Sequence, residues 1–326
     1  MKYRNIIYIL ALFAVILSCS SNDQEPTSES RAALQLNVSM AGVTTRALKT
    51  EFATGDNIGI SLIGADGSTN VYNQKNMYYT YYETSGWRPG NATAYTQGTT
   101  INYYSHVDVL TYDYAKVSAY YPYRLGVSID PEAIPISFTA GTNSSQTDWL
   151  YAPYSDFDGV NKPFVNFANP TANLEMRHAH CMINLLLSAD SDNYGTLHGI
   201  TIMGNMGLSG TLNSTTGSIT DVEQPENFGT KSPSLAPVAG GDPVSLSWLV
   251  LPRTDSPVTI TITARIRNET LTATVPNVLI RSGYKINVPV LIKTDNVTTS
   301  LVVSSVYIEP WTTMDQTAKD TTPINN

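Results

Sequence analysis

Cysteine is almost missing from this sequence: Cys19 and Cys181 are the only two in 326 residues, which leaves room for one disulfide at most and for none of the paired cysteine spacings that hold zinc. Charge is sparse as well, with 19 Lys and Arg, 27 Asp and Glu and four His. An acidic chain without a basic stripe and interleaved aromatics repels phosphate backbones, so no nucleic-acid partner is expected. No apolar stretch reaches membrane-spanning length. The unbroken run from Ile6 to Leu17 would cover about 18 Å as a helix, whereas a bilayer core needs about 20 residues. An amphipathic helix of three turns, a hydrolase elbow and a tight pair of carboxylates are also absent, and with them any legible catalytic apparatus or cofactor site. The chain reads as a non-enzyme.

What is present begins at the N-terminus. Lys2 and Arg4 precede the apolar run and small residues close it, the make-up of a secretory signal. Its end, Ile16-Leu17-Ser18-Cys19, resembles the bacterial lipobox: an aliphatic residue, a tolerated second position, a small residue and a cysteine. The resemblance implies removal of residues 1–18, attachment of palmitate-type lipid to the Cys19 thiol and anchoring in the outer membrane. Two or more acyl chains make such an anchor stable, each buried methylene contributing about 0.8 kcal/mol. Residues 19–32 then form a flexible tether, whose acidic start resembles surface-export signals. With Cys19 lipidated, Cys181 has no partner and stability rests on the core. Loss of Lys2 and Arg4 from 19 basic residues leaves 17 against 27 acidic, a formal charge of −10.

The rest of the composition points to an all-β protein: 20 Tyr, abundant Thr, Ser, Asn and Gly, and few strong helix formers. Alternating segments recur, separated by turn residues. Leu34, Leu36, Val38 and Met40 share one face of "LQLNVSM", and Ile58, Ile60 and Leu62 one face of "NIGISLI". In "VTITITARI", Val258, Ile260, Ile262, Ala264 and Ile266 face one way and Thr259, Thr261, Thr263 and Arg265 the other. "VSLSWLVL" and "YKINVPVLI" continue the pattern. Such half-buried strands need a second layer over their apolar faces. Two antiparallel β-sandwiches in series are expected, residues 33–188 and 189–311, divided at the polar stretch "SADSDNYGT" and followed by a polar tail at 312–326. The stretch from Thr220 to Pro243 is expected to be a long surface loop.

Four features invite a chemical reading. "RHAHC", Arg177 to Cys181, resembles a metal-ligand cluster, but in a strand His178 and His180 share a face while Cys181 points away, so structural histidines and no metal are expected. "DSDNYG", Asp190 to Gly195, has some positions of a calcium loop, yet Tyr194 and Thr201 stand where ligands belong. The run Met77 to Trp87 makes Tyr79, Tyr81 and Trp87 candidate glycan contacts by stacking, with core packing of the tyrosines the favoured reading. "DTT", Asp320 to Thr322, resembles a short O-glycosylation motif.

Several ordered pieces resemble one family, the fimbrillins, lipoprotein pilin subunits of anaerobic Gram-negative bacteria: "TTRALKTEFATGDNIGISLI", "VSAYYPY", "DWLYA", "LEMRHAHCMINLLL", "GTLNSTTGSI", "LVLPR" and "GYKINVPV". The resemblance implies two transthyretin-like β-sandwich domains and a role as shaft, tip or anchor of an adhesive pilus. It also implies that an Arg-specific protease cuts after Arg46, displacing the strand that carries Leu34, Leu36, Val38 and Met40. The C-terminal strand of another subunit, with Leu301, Val303 and Tyr307 on one face, then fills the groove by donor-strand exchange. Arg31 is a second cut site, but cleavage there leaves the strand in place. The partners implied are other pilin subunits, the outer membrane through the lipid, and host or bacterial surface glycans or proteins. The alternative is a monomeric glycan-binding surface lipoprotein.

Overall fold

The computed structural model describes residues 31–40, 52–66, 71–96, 99–104, 109–125, 130–138, 147–154, 164–224, 228–233, 236–253, 256–295 and 298–311. Among them regular structure is strand throughout, apart from a three-residue 3-10 turn at Asp192–Tyr194. The first half supplies β1 (Gln35–Met40), β2 (Asn57–Gly64), β3 (Asn73–Tyr82), β4 (Gly86–Pro89), β5 (Asn91–Thr96), β6 (Thr99–Tyr104), β7 (Ala115–Tyr121), β8 (Ile134–Ser137), β9 (Leu150–Ala152) and β10 (Thr171–His178). The second supplies β11 (Cys181–Ala189), β12 (Leu197–Met203), β13 (Met206–Gly207), β14 (Ser209–Leu212), β15 (Ile219–Glu223), β16 (Val244–Pro252), β17 (Val258–Ile266), β18 (Glu269–Val278), β19 (Tyr284–Thr294), β20 (Thr299–Val303) and β21 (Tyr307–Pro310).

In the first half, seven strands form one sheet in the order β1-β10-β9-β7-β2-β3-β4, and the end strands β1 and β4 touch. The sheet therefore curls over its own apolar face, where Ile58, Ile60, Leu62, Val117 and Leu174 are buried. Curling supplies much of the cover that half-buried strands require. On its other face Gly59 is demanded by close approach: a Cβ there would lie 2.1 Å from the Tyr120 ring.

The second half is a sandwich. A sheet ordered β13-β16-β11-β19-β20, with β21 also on β19, faces the three-stranded sheet β12-β17-β18. Ile183, Leu185, Trp248, Ile260, Ile262 and Val288, from both sheets, are at most 0% exposed in the core between them. The predicted alternation of β17 holds residue by residue, with Val258, Ile260, Ile262, Ala264 and Ile266 buried.

A third core joins the halves. β8 leaves the first half to pair with β14, and Ile134, Ile136, Trp149, Met182, Leu249 and Trp311 are buried together. The chain passes between the large sheets at Ala179 and His180, since His178 ends β10 and Cys181 begins β11. Ser188 thus lies inside β11, whose apolar alternation through Ile183, Leu185 and Leu187 belongs to the second-half core. The polar residues after it form a turn: Asp190 accepts from the Thr294 amide (2.9 Å) and Asp192 from that of Ala239 (2.8 Å), which occupies the carboxylates a calcium loop would need. The stretch expected to be loop at 220–243 is partly paired, because its first residues complete β15 against β14, and Lys231 and Ala239 make bridges to Ile200 and Ala189.

Candidate strand-exchange site

β1 pairs in parallel with β10 along its whole length, Leu36 opposite Ala172, Val38 opposite Leu174 and Met40 opposite Met176. Period-two geometry then puts Leu36, Val38 and Met40 half-buried against the first-half core, while Gln35, Asn37 and Ser39 face solvent. Leu34, just ahead, is 4% exposed. All four residues of the predicted displaced strand therefore lie on one stripe. Polar contacts are few and peripheral: Asn37 Nδ2 donates to Asn173 Oδ1 (2.9 Å), and Thr171 Oγ1 donates to Gln35 Oε1 (3.2 Å). Removal of β1 would bare the unpaired edge of β10 and the side chains of Ala172, Leu174 and Met176.

At the other terminus the predicted donor segment forms two short strands, both antiparallel to β19. Leu301 lies opposite Ile292 and Val303 opposite Val290, on the core face. Tyr307 does not share that face. Ser304 to Val306 interrupt the strand and reset its parity, so Ile308, opposite the buried Ile286, takes the core position and Tyr307 lies opposite Asn287. Asn287 in turn donates to Glu309 Oε1 (2.8 Å) and accepts from Asn184 Nδ2 (2.9 Å).

The described chain ends at Trp311, which is 4% exposed. Its indole stacks on the His178 ring at 3.8 Å between centroids and 12° between planes, and meets His180 edge-on at 5.0 Å. His178 Nδ1 lies 2.9 Å from Asp148 Oδ1, and His180 Nε2 lies 3.5 Å from the same oxygen. Burial pushes the His180 imidazole down to about 3, against the pull of Asp148, so the ring is neutral. Cys181 faces the opposite core, and burial pushes its thiol up to about 12, which makes it inert as a nucleophile.

The candidate rings of the aromatic run pack inward, while Tyr82 at the end of β3 is exposed. Tyr79 and Trp87 are 1% and 7% exposed, and Tyr81 and Trp87 pack with Phe52, whose ring meets Trp87 edge-on at 4.9 Å. The favoured core packing is what the structure shows for Tyr79 and Trp87, which alternation turns into the curled sheet's core, while Tyr81 is half-buried against it.

The profile of the family described as fimbrillin-like matches residues 45–311. The chain belongs to the fimbrillin-like family. Among solved structures, a candidate cell adhesion protein from Bacteroides ovatus is similar, with 17% identity, 87% of this chain and 99% of that chain covered, and a TM-score of 0.58. A second, from Bacteroides uniformis, has 17% identity, coverage of 87% and 100%, and a TM-score of 0.57. At these identities the likeness is one of fold. No curated protein matches.

In this fimbrillin-like chain Cys19, Arg46 and the motif at Asp320 to Thr322 lie outside the described residues, while Arg31 is exposed just ahead of β1. Two residues escaped sequence reasoning. Asp148 stands 30 positions from His178, and its "DWLYA" segment carried the family resemblance without revealing its partner. Trp311 enters the sequence reading only as the last residue of the second domain. A lone aromatic before a polar tail was the available signal.

Proposed function

We propose that this fimbrillin-like chain is a surface-exposed, lipid-anchored subunit of an adhesive fibre, with a structural and not a catalytic role. Cleavage after Arg46 releases β1 together with the tether and the lipid on Cys19, and the slot along β10 receives the C-terminal strand of another subunit, with Leu301 and Val303 as its apolar stripe and Tyr307 on its other face. The observation that carries this reading is the manner in which β1 is held: one hydrogen-bonded neighbour, one apolar stripe and an exposed polar face. A strand attached in this way leaves as a unit, and the exposed edge and side chains favour replacement by another strand. Leu301 and Val303 would each contribute about 1.5–3 kcal/mol when fully covered, and the backbone ladder along β10 adds to the joint. Similarity in fold to proteins named for cell adhesion supports a place on the cell surface.

The test is to express wild type and Arg46→Ala in the native cell and to determine the N-terminal residue and the assembly state of the surface protein. Wild type should begin at Ala47 and form high-mass fibres, and the variant should begin at lipidated Cys19 and stay monomeric. Fibres of protease-matured subunits from Arg46→Ala would overturn cleavage at this site. Deletion of residues 300–326 should abolish assembly, and a polymer formed without them would overturn the donor assignment.

A further inference from the structure

Asp148, His178 and His180 come from three different local settings, the approach to β9, the end of β10 and the crossover into β11, yet their donor atoms all lie within 4.8 Å of one another. They are 7%, 3% and 0% exposed. One contact, His178 Nδ1 to Asp148 Oδ1 at 2.9 Å, is an ordinary hydrogen bond. Other buried polar atoms of the cluster have no partner in the protein. Asp148 Oδ2 and both ring nitrogens of His180 have no hydrogen-bond partner, and neither has the indole nitrogen of Trp311, which stacks on His178. A buried polar atom without a partner is costly, and several meeting at one point signal a missing ligand rather than scattered imperfection.

We propose that Asp148, His178 and His180 form a binding site for one divalent transition-metal ion of the zinc type. Two imidazole nitrogens and one carboxylate oxygen suit such an ion, since imidazole favours zinc and its neighbours over calcium or magnesium, and three protein ligands with water in the fourth place is a common arrangement. The spacings fit: a cation about 2.0–2.2 Å from each donor draws together atoms that lie a few ångströms apart, and here Asp148 Oδ1 is already 2.9 Å from one imidazole nitrogen and 3.5 Å from the other. The ion would take up the orphaned Nε2 of His180. Cys181 is not a ligand, because its side chain lies in the core on the other side of β11. The site lies beneath Trp311, so the ion enters before the C-terminal segment seats, and its role is structural: it ties the β10–β11 crossover to the segment before β9. This inference does not depend on strand exchange, and a monomer suffices to test it.

Tag-free protein spanning residues 20–326 should be refolded with Zn2+, freed of excess ion and assayed for bound metal by mass spectrometry, with thermal melting in parallel. One zinc per chain and a melting temperature raised by several degrees are expected. His180→Leu and Asp148→Asn should each lower zinc content at least tenfold and abolish the zinc-dependent shift. With Co2+ as the probe, the visible spectrum should be that of a four-coordinate nitrogen and oxygen site without thiolate. A wild-type chain that holds no zinc and melts at the same temperature with and without it would overturn the proposal. So would zinc retained in full by both variants, which would place it elsewhere. Should either variant fail to fold, the metal content and cobalt spectrum of the wild type decide.

Discussion

The two ends of the described chain are both terminal strands on a sheet, and they are held very differently. β1 is hydrogen-bonded to its sheet through one parallel ladder, lies against β4 by side-chain packing alone, and three of its apolar residues are only half-buried. The C-terminal pair β20 and β21 lies antiparallel on β19, with β20 also beside β18. That segment ends in Trp311 and includes Val306, which are 4% and 5% exposed. Parallel pairing is slightly weaker per residue than antiparallel, and a half-buried stripe yields less than a buried indole. A strand with one ladder and one stripe can be removed and replaced, whereas a strand closed by a large buried ring is anchored. On the proposed strand exchange, the first end is the one given up, and the second is unseated before another subunit uses it.

The strongest way to break this comparison is Trp311→Ala. Loss of a buried aromatic typically costs about 3–5 kcal/mol, and here it also strips the stacking partner from His178. Urea unfolding should show a loss of that size, and hydrogen exchange should quicken in β20 and β21 before it does so in β1. An unchanged midpoint would mean that Trp311 does not anchor the segment and that the two ends are alike.

A smaller effect is expected at the other end. Val38→Ala removes two methyl groups from a half-buried site, with an expected cost of about 1 kcal/mol. Because β1 has a single ladder, amide exchange in Gln35–Met40 should accelerate about fivefold while β20 exchange is unaffected. Equal acceleration at both ends would show that β1 is part of the global cooperative unit rather than a separately opening strand.

Much of this contrast was legible in the sequence. The alternation of Leu34, Leu36, Val38 and Met40 foretold the stripe of β1, and that of "VTITITARI" foretold β17, because a period of two needs no tertiary information. What depended on distant partners was not legible. The parity break at Ser304 to Val306, which turned Tyr307 off the core face, comes from an irregular interruption between β20 and β21 that no alternation announces. Ser188 falls inside β11 because the core of the second half continues through Leu185 and Leu187, even though the local polarity reads as a break. Asp148 could not be joined to the histidines without knowing that β9 lies beside β10. The aromatic run shows the same limit, since alternation names the face a side chain takes and says nothing of what covers it.

The finest test separates the ends by pH. Lys231 is 3% exposed, its ammonium donates to the Ser247 carbonyl and lies 4.9 Å from the Trp248 ring, and burial pushes its pKa from the ordinary 10.5 down to about 8. In the unfolded chain the ammonium keeps its proton up to the ordinary value. Below about pH 8 both states are protonated and the folded state bears the full cost of a buried charge. Between about 8 and 10.5 the folded state loses its proton first and unfolding must take one up, so the free energy of unfolding rises with pH across that window and levels off above it. Tyr79, whose hydroxyl burial pushes up to about 12, opposes this trend at the alkaline end in wild type and variant alike. The reading is therefore the difference from Lys231→Met. The urea midpoint of wild type should climb relative to the variant between pH 8 and 10, while protease release of β1 should respond equally in both, because Lys231 bridges to Ile200 and donates to β16, both in the second half. If the substitution changed β1 release as well, the two ends would be coupled through the third core, and the separate holding of β1 would have to be given up.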